Sequence, residues 1–230
     1  RIPRPVGKRR QFGKDGYREI KERFSRGPRG TDSRFADILL KFFENFRLPE
    51  VESRSMRISS FYKTGKPVIS FEFFPPKTPE GERKLYESAA ELKELRPAFV
   101  SVTYGAMGNT QANTLRVVSE IRNRIGIETA AHLTCVAHSR GEISGILEKL
   151  AAARIKNIVA LRGDPPQGET EFRPVADGFR YASELVRFIR SHSRFGETFD
   201  LIVAGYPEGH PECRDLRKDI EHLKLKVDAG

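Results

Sequence analysis

Five short β-rich runs, each followed by residues at helical spacing, restrict this chain to very few folds. They are VISFEFF (68–74), AFVSVTYG (98–105), ETAAHLTC (128–135), NIVALRGD (157–164) and FDLIVAGYP (199–207). Their starts lie 30, 30, 29 and 42 residues apart, about one strand–helix repeat each time. Between them, Leu85, Ala89 and Leu92 share a helical face, as do Leu115, Val118 and Ile125. Further helices are predicted near 140–154 and 178–192, and Cys213, Leu216, Ile220, Leu223 and Val227 mark an apolar stripe on a last one. Such alternation gives an α/β fold in which parallel strands are covered by helices. An open doubly wound sheet and a closed eight-unit barrel both satisfy it. No G-x-G-x-x-G follows the first strand, which weighs against the open dinucleotide-binding sheet. Five units cannot by themselves close an eight-stranded barrel.

The charge divides unevenly along the 230 residues. Residues 1–55 hold 15 Lys/Arg against 8 Asp/Glu, or +7, and residues 56–230 hold 26 against 23, or +3, which together give the net +10. Residues 1–30 are rich in Gly, Pro and Arg and predict little stable structure. Over 32–47, Phe35, Ile38, Leu39, Phe42, Phe43 and Phe46 form one apolar stripe, with Asp32 or Ser33 to cap the helix and Pro49 to end it. Residues 1–55 are thus read as a basic, partly helical extension, and 56–230 as the barrel segment. Residue 1 is Arg, and Met56 opens a run that would serve as a natural start. A basic arm can bind nucleic acid or an anionic membrane, but no nucleic-acid-binding motif accompanies it, so nucleic acid is not the expected partner. No apolar run approaches the ~20 residues of a membrane span and no secretory signal opens the sequence. Cys135 and Cys213 are the two cysteines, too few for a disulfide framework, so a cytoplasmic location is expected. No metal site is expected: His132 and Cys135 fall on opposite faces of a strand, and His210 and Cys213 lack further ligands at suitable spacing.

The polar residues gather where the strands end. Glu72 lies inside FEFFPP, Thr103 and Tyr104 close the second run, and His132 lies near the end of the third. Arg162, Gly163 and Asp164 end the fourth, Tyr206 ends the fifth, and His210 follows it. In a parallel βα array all the carboxyl ends open on one face, where such folds do their chemistry. Phe71, Phe73 and Phe74 around Glu72 predict a dry setting, in which a carboxyl keeps its proton to higher pH and can donate it near neutrality. Glu72 could instead be an outward charge on a strand end, and His132 alone a satisfied core histidine. Arg162 and Asp164 could be a structural ion pair. Gly163 would let a ligand approach the backbone closely.

At these residues the chain resembles a known family. SFEFFPPKT, FVSVTYGA, HLTC, NIVALRGDPP, AGYPEGHPE and LKLKVDAG, in that order from Lys66 to Gly230, are together similar to methylenetetrahydrofolate reductase. The resemblance implies a (β/α)8 TIM barrel, incomplete here with about five of its eight units, and carrying non-covalent FAD. It implies reduction of 5,10-methylenetetrahydrofolate to 5-methyltetrahydrofolate, with NADH or NADPH as reductant. Glu72 would be the general acid that protonates the folate, and Asp164 would lie beside flavin and folate. Thr103 would contact the nicotinamide nucleotide. FAD contacts would be Tyr104, Ala106, His132, Arg162, Gly163, Asp164, Tyr181, Ala182, Tyr206, His210, Asp219 and Lys226. A homo-oligomer is expected. The sequence departs from the family at Cys213, His222 and Leu225, the last two replacing polar or basic residues near the adenosine end. The family's glutamine on the sixth strand would fall past Gly230, so this chain alone is expected to show little or no reductase activity. The competing reading is a truncated, catalytically inactive fragment that binds flavin or a partner.

Overall fold

The computed structural model describes residues 56–65, 67–104, 110–165, 168–169 and 171–230. The chain divides into two units, Arg1–Glu50 and Val51–Gly230, and every described residue belongs to the second. The helix predicted over 32–47, the rest of the 1–55 extension, and Ala106 lie outside the described residues.

Five strands form one sheet: β1 (Ser70–Phe73), β2 (Phe99–Val102), β3 (Thr129–Thr134), β4 (Asn157–Leu161) and β5 (Asp200–Val203). Helices α1 (Pro79–Lys93), α2 (Thr110–Glu120), α3 (Arg140–Ala152), α4 (Ala182–Ser191) and α5 (Leu216–Asp228) alternate with them. Every strand pair is parallel, and the strands lie side by side in sequence order. A doubly wound sheet reverses its order at a switch point. No reversal occurs among the described strands, an order consistent with that from which βα barrels are built.

Local signals account for the helix ends. Thr78 caps α1, its Oγ1 accepting the Gly81 N–H at 3.1 Å, with Pro79 in the first turn. Ser139 and Glu142 form a reciprocal capping box on α3. α4 starts four residues later than the sequence suggests, because Gly178 is drawn into a bridge with Ser139 and Tyr181 is the extended N-cap residue. α2 runs into a π-helical turn, Ile121–Ile125, closed by Gly126 at φ 79°.

Side chains of a strand alternate between the two faces of the sheet. On one face Val100, Val102, Leu133, Ile158 and Ala160 meet Ala89, Val118, Leu147 and Leu185 of the helices in the main core, with Phe71 and Phe73 packed on it. On the other face Phe99 and Ala130 join Ile58 and Phe61 of a 3-10 helix, Ile58–Thr64, in a smaller cluster. The stripe expected on α5 is not buried among the described residues. Leu223 is half-buried against Gly205, whereas Leu216, Ile220 and Val227 are exposed. No helix among the described residues is long and apolar enough to cross a membrane.

The 3-10 helix is tied across the N-terminal edge of the sheet by backbone donors. Met56 N–H donates to Glu128 Oε2 at 3.0 Å, Ile58 N–H to Asn157 Oδ1 at 2.9 Å, and Ser59 N–H to Asp200 Oδ2 at 2.6 Å. Asn157, fully buried at the first position of β4, shares its amide hydrogens among Met56 O, Glu128 Oε1 and Thr129 O at 3.0–3.2 Å. Burial pushes the Glu128 carboxyl above its usual range, opposed by the Met56 N–H and by Arg122. Asn157→Ala would strand the Ile58 N–H and several acceptors in a dry site. We expect it to cost about 2–3 kcal/mol, read as a lower denaturant midpoint at unchanged slope. A cost under about 0.5 kcal/mol, the range of surface changes, would show that the network does not hold this edge.

Candidate functional site

Parallel strands bring their C-terminal ends to one edge, and the polar residues stand along it. Glu72 of β1 is paired in register with Ser101 of β2, so their side chains leave the same face of the sheet. Ser101 Oγ donates to Glu72 Oε2 at 3.1 Å. His132, two residues further along β3, places Nε2 3.1 Å from the same oxygen. The imidazole is 10% exposed and the carboxyl side chain 48%. The dry setting expected for Glu72 is therefore not what the fold supplies. Phe71 and Phe73 are its neighbours in sequence, but the two-residue period turns them to the helix side, and Phe74 is 74% exposed. Glu72, Ser101 and His132 instead line a cavity of about 550 Å³ on the open face, together with Phe99, Val159 and Leu161.

A second polar pair stands at the ends of β2 and β3. Thr103 N–H donates to Phe73 O at 2.9 Å, and Thr103 O accepts from Thr114 Oγ1 at 3.0 Å, which anchors the start of the loop to α2. Tyr104 OH and His138 Nε2 are 2.7 Å apart, with the rings edge-to-face. Burial raises the Tyr104 phenol and lowers the His138 imidazole from their usual values. His138 lies just past β3, in a turn where strand periodicity gives no guide to direction, and sequence reasoning missed it.

The ends of β4 and β5 carry cations. Arg162 makes a two-pronged ion pair with Glu212, both N···O distances 2.8 Å, and its guanidinium lies over Phe172. Its carboxylate partner is thus Glu212, 50 residues on, and not Asp164, which is exposed at the end of β4. Gly163 has φ 85°, and a Cβ there would meet Val136 Cγ1 at 2.8 Å. The glycine thus permits the close packing of two strand ends. Glu212 N–H donates to His210 Nδ1 at 3.1 Å, and His210 N–H donates to Asp219 Oδ2 at 3.0 Å. Tyr206 stacks edge-on to His210. Lys226 Nζ donates to Ala204 O at 2.6 Å, and burial holds its ammonium below the usual lysine range. Tyr181, half-exposed, and Ala182 stand at the N-terminus of α4. Cys135 is buried and its thiol is pushed up to about 12, so it is an inert core residue. Among the described residues no three His, Cys, Asp or Glu are grouped to hold a metal ion.

A parallel sheet in sequential order, with a carboxyl–imidazole pair on its open face and two cations at the far strand ends, defines a βα-repeat protein with a site at its strand ends. The sequence profile described as Methylenetetrahydrofolate reductase matches residues 57–230. Methylenetetrahydrofolate reductase (NADH) 1 of Arabidopsis thaliana is 41% identical over 183 residues, 76% of this chain and 31% of that protein. Methylenetetrahydrofolate reductase 1 of Schizosaccharomyces pombe is 43% identical over 166 residues, 72% of this chain and 27% of its own length. The 5,10-methylenetetrahydrofolate reductase of Escherichia coli is 42% identical over 162 residues, 70% of this chain and 51% of its own length. The chain belongs to the methylenetetrahydrofolate reductase family. It spans about half the length of this bacterial relative and about three-tenths of the plant one.

Burial is the main cause that lowers both His132 and His138, with Glu72 and Glu142 respectively pulling the other way. An unfolded histidine titrates near 6.5. Below that pH the unfolded chain takes up protons that the folded imidazoles resist, so stability is full above it and falls as the pH drops toward the folded values. We expect the denaturant midpoint to decrease on acidification through this window. The decrease should shrink in the His132→Gln, His138→Gln double variant, whatever its stability at neutral pH. An undiminished decrease would assign the effect to other groups.

Proposed function

We propose that this chain carries the acid and the cofactor-binding edge of a flavin-dependent reductase that converts 5,10-methylenetetrahydrofolate to 5-methyltetrahydrofolate with NADH or NADPH. Its strand order, the family match and the share of its relatives that it spans support the reading that these are five units of a (β/α)8 barrel. The observation that carries the reading is Glu72, a carboxyl half-exposed on the wall of a cavity, with Ser101 Oγ donating to its Oε2 and His132 Nε2 3.1 Å from the same oxygen.

The strand ends fit FAD by their chemistry. Lys226 supplies positive charge beside the end of β5 for a diphosphate, and Arg162 at the end of β4 would serve it on exchanging its Glu212 partner for the ligand. Thr103, Tyr104, Gly163, Tyr206 and His210 give hydrogen-bonding and aromatic groups along the same edge, and the N-terminus of α4 at Tyr181 and Ala182 favours an anion. Asp219 holds the His210 backbone in place. Bound there, FAD would carry reducing equivalents from the nicotinamide nucleotide to the folate. The plant relatives bear NADH in their names, which favours NADH as the reductant. Asp164, exposed at the end of β4, would orient the pterin.

Glu72 would deliver a proton to a folate nitrogen, opening the methylene bridge to the reactive iminium. The cavity around it is lined largely by apolar side chains, which could pack against the ring of the folate. The test is Glu72→Gln in a full-length, flavin-loaded reductase that contains this segment. NADH should still reduce the flavin, while turnover of methylenetetrahydrofolate falls by about 100-fold or more, the scale of a lost general acid. Undiminished folate turnover would take Glu72 out of the acid role.

A further inference from the structure

We propose that Ser101 and His132 hold Oε2 of Glu72 as a permanent hydrogen-bond acceptor and so confine the exchangeable proton of the carboxyl to Oε1. The inference rests on the reading of Glu72 as the acid and says which of its atoms does the work. Neither Ser101 nor His132 would touch the folate in this role, and both are positioning residues.

Two polar atoms converge on one oxygen, one as a hydrogen-bond donor and one at ion-pair distance. Ser101 Oγ and His132 Nε2 each lie 3.1 Å from Oε2. Their positions follow from the sheet. Ser101 is the register partner of Glu72 across β1 and β2, and Ala130 of β3 is the register partner of Ser101, so His132 stands one pleat further along the same face. Three neighbouring strands therefore fix the arrangement. A proton on Oε2 would point at groups that themselves present hydrogens, and seating it there would break at least one of the two bonds. A carbonyl-type oxygen accepts two hydrogen bonds whether the carboxyl is charged or neutral. With Oε2 engaged in both states, Oε1 can lose and regain its proton without rearrangement of the neighbours.

This requires His132 to be neutral with its hydrogen on Nε2. Burial, which lowers the imidazole from its usual value, favours the neutral form, and the Glu72 carboxylate 3.1 Å from Nε2 favours the hydrogen there. The other ionisable groups lining the cavity are Tyr62 and Asp200. Asp200 is engaged at the opposite edge by the Ser59 N–H, and no lysine or arginine is among the lining residues. The proton balance is simple. The Oε1–H bond breaks as the folate nitrogen takes the proton, and the electron pair stays on the carboxylate, whose charge the two donors stabilise. Solvent returns the proton through the exposed side of Glu72 after the product leaves.

The first experiment needs no turnover. In the purified chain, nitrogen NMR of ring-labelled histidine should show His132 neutral at neutral pH with the hydrogen on Nε2. In Glu72→Gln its protonation should move to lower pH, because the carboxylate that favours the cation is gone. A hydrogen on Nδ1, or a His132 titration indifferent to Glu72→Gln, would overturn the proposal. In a full-length, flavin-loaded reductase that contains this segment, His132→Leu and Ser101→Ala should each slow folate reduction by about tenfold, the scale of one hydrogen bond to a charged group. His132→Gln, which keeps a donor at the place of Nε2, should recover most of the loss. If Glu72→Gln abolishes folate reduction while His132→Leu and Ser101→Ala leave it intact, the proton-placing role is wrong and the acid stands. If Glu72→Gln itself keeps folate reduction, the reading beneath the proposal is the part that fails.

Discussion

Alternation of side chains across a parallel sheet is the constraint on which the rest of this structure depends. Because each strand sends successive residues to opposite faces, one set of five strands can bury a hydrophobic layer against helices and still present a polar set on the other side. Phe71 and Phe73 anchor β1 in the core while Glu72 between them faces the cavity. Val100 and Val102 do the same for β2 around Ser101, and Ala131 and Leu133 for β3 around His132. Glu72 and its partners thus stand on segments whose alternate residues are buried, which holds them more firmly than a loop could.

The same logic explains what could be read from the sequence. The five runs, their helices and the strand-end position of the polar residues all follow from short-range periodicity, which survives in one dimension. The environment of Glu72 is not legible from its sequence neighbours, because adjacent residues of a strand are the ones that cannot share its surroundings. Ser101 and His132 come beside Glu72 through register between strands, and register is not visible in any single run. Glu212 reaches Arg162 from a loop beyond the next strand, and Asn157 meets Ile58 across most of the domain. Such pairings depend on where the chain returns to. The apolar stripe on α5 was legible as a pattern, but a pattern does not say what covers it, and Leu216, Ile220 and Val227 are exposed among the described residues.

The two edges of the sheet are polar in different ways. At the C-terminal edge Arg162 is neutralised by Glu212, while Lys226 meets a backbone carbonyl and keeps its charge at some cost in burial. The two cations of that edge are therefore each engaged within the fold. At the N-terminal edge, carboxylate and amide acceptors at Glu128, Asn157 and Asp200 receive backbone N–H groups from the segment at Met56–Ser59. Here the polar groups satisfy one another and close the sheet against water.

That N-terminal tie also sets an order of events in the life of the chain. Neighbouring strands pair over one repeat, so the sheet can grow unit by unit as the polypeptide is made, with short loops to close at each step. The 3-10 helix does not share this privilege. Its bonds to Asn157 and Asp200 span 99 and 141 residues, so the first segment of the domain to leave the ribosome is among the last to find its place. Until Asp200 has emerged, Ile58 and Phe61 have no finished surface to cover, and the open face of the growing sheet is at its most vulnerable to wrong partners.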